Sequence, residues 1–136
     1  VPVGAGLGAS ATLCVGVGRL FETLGFVNDE KIYEFCRQLE NLFHGESSGV
    51  DIAATLAGVP IQFQRPHLIE KLYPAWNPRF YLSYSGQRGI TAECVRIVKE
   101  LFVKDEKLAA KLDLEMKESV LQMRAAFLKP ESEGLI

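Results

Sequence analysis

Near the start of the chain, Gly4-Ala5-Gly6-Leu7-Gly8-Ala9 alternates glycine with small or apolar residues and runs directly into Ser10. Glycine permits backbone shapes and a closeness of approach that other residues forbid, and a helix after such a loop aims free N–H groups at whatever lies in front of it. Phosphate is the natural guest of that arrangement. The alternative is a glycine-rich turn into a helix that binds nothing. A Walker-type loop needs G-x-x-x-x-G-K-[ST], and from Gly8 onward no basic residue occurs before Arg19, so that reading fails. A dinucleotide fingerprint can be drawn through Gly6, Gly8 and Ala11 with Asp29 as its acidic residue. Its acidic residue should end a second strand, however, whereas Asp29 opens a strongly periodic helical stretch.

Two carboxylates form the next group, Glu40 and Asp51, at opposite ends of the polar connection His44-Gly45-Glu46-Ser47-Ser48-Gly49-Val50. A carboxylate near the C-terminal end of a helix, as Glu40 would be, is disfavoured by the helix dipole and asks for a compensating cation; the alternative is a solvated surface glutamate. Asp51 follows Ser48-Gly49 at the start of a short apolar helix. It either stabilises that helix end by its charge, worth under about 1 kcal/mol, or is a carboxylate kept ionised by helix N–H groups and ready to accept or orient a proton. His44 is read as a hydrogen-bonding residue without an identifiable partner. Cys14, Cys36 and Cys94 show no C-x-x-C pair and no metal-ligand spacing, which argues against a disulfide framework or a zinc site and for a reducing compartment.

The elements that must position these groups follow from periodicity. Ser10 to Leu24 is small and apolar on nearly every side, the pattern of a buried helix closed by Gly25. Asn28-Asp29 offers N-cap oxygens to a second helix with Ile32, Phe35, Cys36, Leu39, Leu42 and Phe43 on one face. Ser48 is the expected N-cap of a short helix, Asp51 to Leu56, that Gly58 ends. Val59 to Gln64 and Phe80 to Tyr84 are expected strands, separated by a Pro- and aromatic-rich loop. Thr91 can cap a helix carrying Cys94, Val98, Leu101 and Phe102, and a last helix, about Asp105 to Leu128, carries Leu108, Leu112, Met116, Val120, Met123 and Phe127. Strands alternating with helices indicate a mixed α/β (α+β) fold.

With 136 residues, 48% hydrophobic and 24% charged, the chain is the size of one globular domain, which excludes disordered and fibrous classes. Its formal net charge of −2 supplies no strong attraction for nucleic acid or an anionic membrane. No apolar run approaches the ~20 residues that span a bilayer, and the start has no basic segment of a signal peptide; a cytoplasmic location is expected. The opening Val1-Pro2-Val3, running into the loop without an initiator Met, suggests a piece of something longer.

Taken together, Pro2 through Ala11 resembles the second motif of the GHMP small-molecule kinases, the glycine loop that wraps ATP phosphates. Glu40, His44-Gly45 and Ser48-Gly49-Val50-Asp51 resemble the mevalonate kinase branch, and Ser85-Gly86-Gln87-Arg88-Gly89-Ile90-Thr91 is similar to the turn and capping Thr near the family's substrate pocket. The resemblance implies an ATP-dependent phosphotransferase with an alcohol group as acceptor, mevalonate being the expected substrate and 5-phosphomevalonate the product. It further implies that Gly4, Ala5, Gly6, Leu7, Gly8, Ala9 and Ser10 bind ATP, that Ser10 and Glu40 hold Mg²⁺, that Asp51 activates the substrate hydroxyl, and that His44, Ser48 and Thr91 lie by the substrate. By the same resemblance, residues 1–66 are part of an N-terminal lobe of ribosomal-protein-S5 type, residues 67–136 begin a ferredoxin-like C-terminal lobe, and a homodimer is compatible. Two departures are visible. Position 9 is Ala where the family usually has Ser, and the family's Lys-bearing first strands and third glycine motif are absent from these residues, so the active site is expected to be incomplete within them. Another GHMP kinase with a different small alcohol or sugar, or a non-catalytic sensor on the same scaffold, are the competing readings.

Overall fold

Small residues on α1 (Ala9–Thr23) let it lie close along α2 (Asp29–His44), and this antiparallel helix pair is the frame of the candidate site. In the computed structural model, residues 6–65, 68–76, 79–84, 86 and 91–129 are described, with Leu68, Thr91 and Ala92 described by their backbone alone. The two helices approach closely at Gly18, which faces Cys36, Ile32 and Phe35. α3 (Val50–Ala57) packs on both helices, and a hairpin of β1 (Ile61–Gln64) and β2 (Leu68–Lys71) follows it. The hairpin is antiparallel, with Ile61 opposite Lys71 and Phe63 opposite Ile69. Ala11, Cys14, Val15, Ile32, Cys36 and Ile52 form the core of this unit, with Val27, Tyr33, Phe35, Leu39 and Leu56 around it. Ile52 has no exposed surface; truncating such a residue to alanine costs about 2–5 kcal/mol.

By contact the chain divides into two compact units, residues 1–71 with 84–89, and residues 72–83 with 90–136. The second contains α4 (Thr91–Lys104) and α5 (Glu106–Leu128). Asp105 caps α5, its carboxylate accepting from the Leu108 N–H at 3.0 Å. The Trp76 indole N–H donates to the Ala126 carbonyl at 3.1 Å and its ring lies 5.9 Å from that of Phe127, tying residues 72–76 to the end of α5.

Several expectations are corrected here. The fold is mixed but helix-rich, and its sheet has two strands among the described residues. Phe80 to Tyr84 is not a strand: all five side chains are exposed and no described segment pairs with it, whereas β2 forms inside the stretch expected to be loop. On α2, Leu42 and Phe43 are exposed and Glu40 takes the buried place in their stead, because Ile32, Cys36 and Glu40 recur every four residues on the face toward α1. Asn28 stands at the N-cap of α2 without a side-chain capping bond, and Gly49 rather than Ser48 is the N-cap of α3. The expected stripe of α5 is largely uncovered: Leu108, Leu112, Met116, Val120 and Met123 are exposed, and the fully covered position is Ala109. On α4, Cys94, Val98 and Phe102 are exposed as well. Two helices shield only a narrow seam of each other, so a wider apolar stripe stays open to solvent.

Candidate active site

Gly6 and Gly8 both adopt left-handed backbone, at φ 72° and 71°, turning the chain into α1. Gly8 is its N-cap, no side chain caps it, and the first turn holds no acidic residue. Its carbonyl accepts from the Thr12 N–H at 2.9 Å, so the N–H groups of Ala9, Ser10 and Ala11 have no acceptor within the helix. Gly4 and Ala5 lie outside the described residues, so the described part of the loop is Gly6 to Ser10.

Ser10 lies on the side of α1 that faces α2: its Oγ and His44 Nε2 hydrogen-bond at 3.1 Å. His44 thus has the partner that sequence reasoning did not supply. One turn further along each helix, Cys14 lies within the electrostatic reach of Glu40; burial pushes the Cys14 thiol up, and the Glu40 carboxylate adds to the rise. Burial likewise pushes up the thiol of Cys36, with Cys14 contributing.

Glu40 is 4% exposed, a surface glutamate neither in place nor in chemistry. Its Oε2 accepts a hydrogen bond from the Ser47 hydroxyl, and no ion pair reaches it among the described residues. A carboxylate taken from water with a single hydroxyl partner is under-compensated, which is the condition a bound cation relieves.

The turn after α2 is closely tied. The Ser47 N–H donates to Asn41 Oδ1 at 2.7 Å, and Ser47 Oγ, besides donating to Glu40, accepts from the Gly49 N–H at 3.0 Å. Gly49, at φ 81°, is buried against Tyr33, whose hydroxyl would stand 2.3 Å from any Cβ at that position. Ser48 Oγ accepts from the Val50 N–H at 3.3 Å, so Ser48 still covers one N–H of α3 from just outside the cap. Arg65, at the end of β1, donates from Nη2 to the Ser47 carbonyl at 2.9 Å and from Nε to the Ser48 carbonyl at 3.2 Å.

Asp51 is the second residue of α3 and is exposed, with no hydrogen bond or ion pair to its carboxylate among the described residues. The structure therefore brings together Ser10 with His44, and Glu40 with Ser47, and links the Glu40 end of the site to the start of the Asp51 helix through Ser47 and Gly49. No three His, Cys, Asp or Glu residues cluster as a metal site among the described residues. Thr91 opens α4 with its side chain undescribed, and Ser85 and residues 87–90 lie outside the described residues. Sequence reasoning missed Ser47, Asn41, Tyr33 and Arg65. Ser47 is one hydroxyl in a polar loop and Arg65 is 17 residues from its partner Ser48, so neither carried a local signal.

Residues 1–59 match the model of the GHMP kinases N terminal domain. Over 101 residues, 73% of this chain, it is 33% identical to a protein named mevalonate kinase from Thermococcus onnurineus and 34% identical to one from Thermococcus gammatolerans. A mevalonate kinase from Pyrococcus horikoshii is 32% identical over 104 residues, 75% of the chain. The chain spans about 30% of the length of these curated relatives. No solved structure matches it significantly. Among the described residues no helix is long and apolar enough to cross a membrane.

Proposed function

We propose, for a chain whose residues 1–59 are matched as a GHMP kinase N-terminal domain and which is about one-third identical to mevalonate kinases, that it is the phosphate-loop and carboxylate part of an ATP-dependent kinase acting on a small alcohol, with mevalonate as the substrate. The observation that carries this reading is the buried Glu40 carboxylate on the α1-facing side of α2, held among the described residues by a hydroxyl alone. Residues 1–66 then belong to the N-terminal lobe of that enzyme and residues 67–136 begin its C-terminal lobe.

In this reading the uncapped N–H groups at the start of α1, those of Ala9 and Ser10, receive the phosphates of ATP, where the helix dipole favours negative charge. Ser10 and Glu40 would hold Mg²⁺; hydroxyl and carboxylate oxygens are the hard donors that ion prefers, and a buried under-compensated carboxylate fits it. When bound, Mg²⁺ supplies charge neutralisation of the transferred phosphoryl group. The substrate hydroxyl lies against Asp51, its oxygen forms the new bond to the γ-phosphorus as the bond to the ADP oxygen breaks, and its proton passes to the Asp51 carboxylate. His44 fixes the Ser10 hydroxyl, and the tied turn fixes where α3 presents Asp51. Positioning of this kind carries most of the catalysis in phosphoryl transfer.

The test is to incubate the full-length protein with Mg-ATP and a panel of small alcohols and sugars that includes mevalonate, following ADP release and the mass of the product. A phosphorylated mevalonate supports the reading. A different phosphorylated alcohol replaces the substrate, and ATP binding without transfer to any acceptor contradicts the enzyme.

A further inference from the structure

We propose that Arg65 is a positioning residue of the site: from the end of β1 it holds the Ser47–Ser48 backbone and so fixes the spacing between Glu40 and the start of the helix that carries Asp51. This deepens the kinase reading and rests on it for its catalytic consequence.

A guanidinium is a rigid planar fork, and here its arms meet successive carbonyls, Nη2 on Ser47 at 2.9 Å and Nε on Ser48 at 3.2 Å. Nη1 lies 3.7 Å from Glu46 Oε1, a contact exposed on both sides. The two clamped residues lead to different parts of the site. Ser47 donates a hydrogen bond from its hydroxyl to Glu40 and accepts one from the Gly49 N–H. Ser48 covers the Val50 N–H, one residue before Asp51. A rotation of the 47–48 peptide would therefore disturb the Glu40 hydrogen bond and the entry to α3 together, and Arg65 is the group that opposes that rotation from outside the turn. Tyr33 and Asn41 support the turn from α2, at the Gly49 backbone and the Ser47 N–H; Arg65 is the contact from the hairpin. A lysine ammonium is a single point charge without the guanidinium's planar, two-armed spacing, so it does not reproduce the fork. The side chain is 53% exposed, so its removal leaves no cavity and the fold should survive.

The test compares Arg65→Lys and Arg65→Ala with wild type in the full-length protein. Without any nucleotide or alcohol, amide hydrogen exchange at Gly49 and Val50 should quicken markedly in Arg65→Ala and by a similar factor in Arg65→Lys, while the hydrogen-bonded Thr12 to Val15 amides of α1 keep their protection. In the kinase assay kcat should fall about 10–100-fold, as misplacement of reacting groups does, with KM for ATP within about twofold. Unchanged exchange at Gly49 and Val50 in Arg65→Ala overturns the proposal, as does full rescue by lysine of both exchange and kcat, which would leave only a charge effect. Faster exchange confined to these amides in Arg65→Ala, with a wild-type protein that transfers no phosphate, would retain the clamp and refute the kinase reading instead.

Discussion

Two glycines in one helix should respond oppositely to the same substitution. Gly16 and Gly18 both lie inside α1; Gly16 is exposed with nothing within 4 Å of a Cβ, whereas at Gly18 a Cβ would stand 2.3 Å from Cys36 Sγ and 3.5 Å from Ile32 Cγ1. Alanine at Gly16 should stabilise the protein by about 0.5–1 kcal/mol, because glycine loses more backbone freedom in a helix. Alanine at Gly18 gains the same term, but ordinary contact begins near 3.4 Å, so the sulfur or the helix must move by more than an ångström. Cys36 has no exposed surface to swing toward. Overpacking of that kind costs about 1–3 kcal/mol, leaving Gly18→Ala net destabilised by up to about 2.5 kcal/mol. Urea unfolding followed by far-UV circular dichroism reads both changes. Cys36→Ala, itself destabilising, should restore room, so that the Gly18→Ala/Cys36→Ala pair loses less than the two single changes together. If Gly18→Ala stabilises as much as Gly16→Ala, the close contact of α1 with α2 that places Ser10 on His44 is wrong.

Three further outcomes are expected. Glu40→Gln keeps volume and loses charge, so it should raise the Mg²⁺ concentration needed for half-maximal activity about tenfold or more, a charged oxygen contact being worth roughly 1.5–3 kcal/mol, while thermal unfolding without Mg²⁺ stays near or above wild type; an unchanged Mg²⁺ titration would count against the assignment. His44→Ala should free the Ser10 hydroxyl and weaken Mg-ATP binding several-fold with little loss of fold, since His44 is exposed; identical binding would remove His44 from the site. The buried thiols of Cys14 and Cys36 keep their protons above the pH at which an unfolded thiol loses them. Their contribution to stability is therefore full below the ordinary thiol value of about 8.5 and is lost as pH climbs past it toward the raised values. Stability measured across that range should fall, less so in Cys36→Ala, and a flat profile would refute the burial.

The sequence carried the local features well. Alternating glycines before a small-residue helix marked the turn into α1, where Gly6 and Gly8 take left-handed backbone, and the 3.6-residue period of α2 placed its helix from Asp29. What it carried poorly was which face of an element meets a neighbour. Leu42 and Phe43 are apolar enough to be counted as core, yet the buried position is Glu40, because the line Ile32, Cys36, Glu40 is set by where α1 lies. Phe80 to Tyr84 has the side chains of a strand, but a strand also needs a partner, and none lies among the described residues. Glu40 and Asp51 drew attention through their chemistry; the groups that tie them together, Ser47 and Arg65, act through backbone carbonyls and N–H groups that no side-chain pattern reports.

The central claim is that Asp51 acts on the substrate hydroxyl, and the exposed carboxylate at the second position of α3 makes Asp51→Asn its most direct test. A positioned base or orienting group contributes about 10²–10⁴-fold, roughly 3–5 kcal/mol of barrier. Steady-state kinetics of the full-length Asp51→Asn protein should show kcat lower by about that factor, with ATP affinity and the melting temperature close to wild type. Near-normal turnover, with a loss of stability of about 1 kcal/mol or less, would mean that Asp51 only stabilises the end of its helix and would contradict the account.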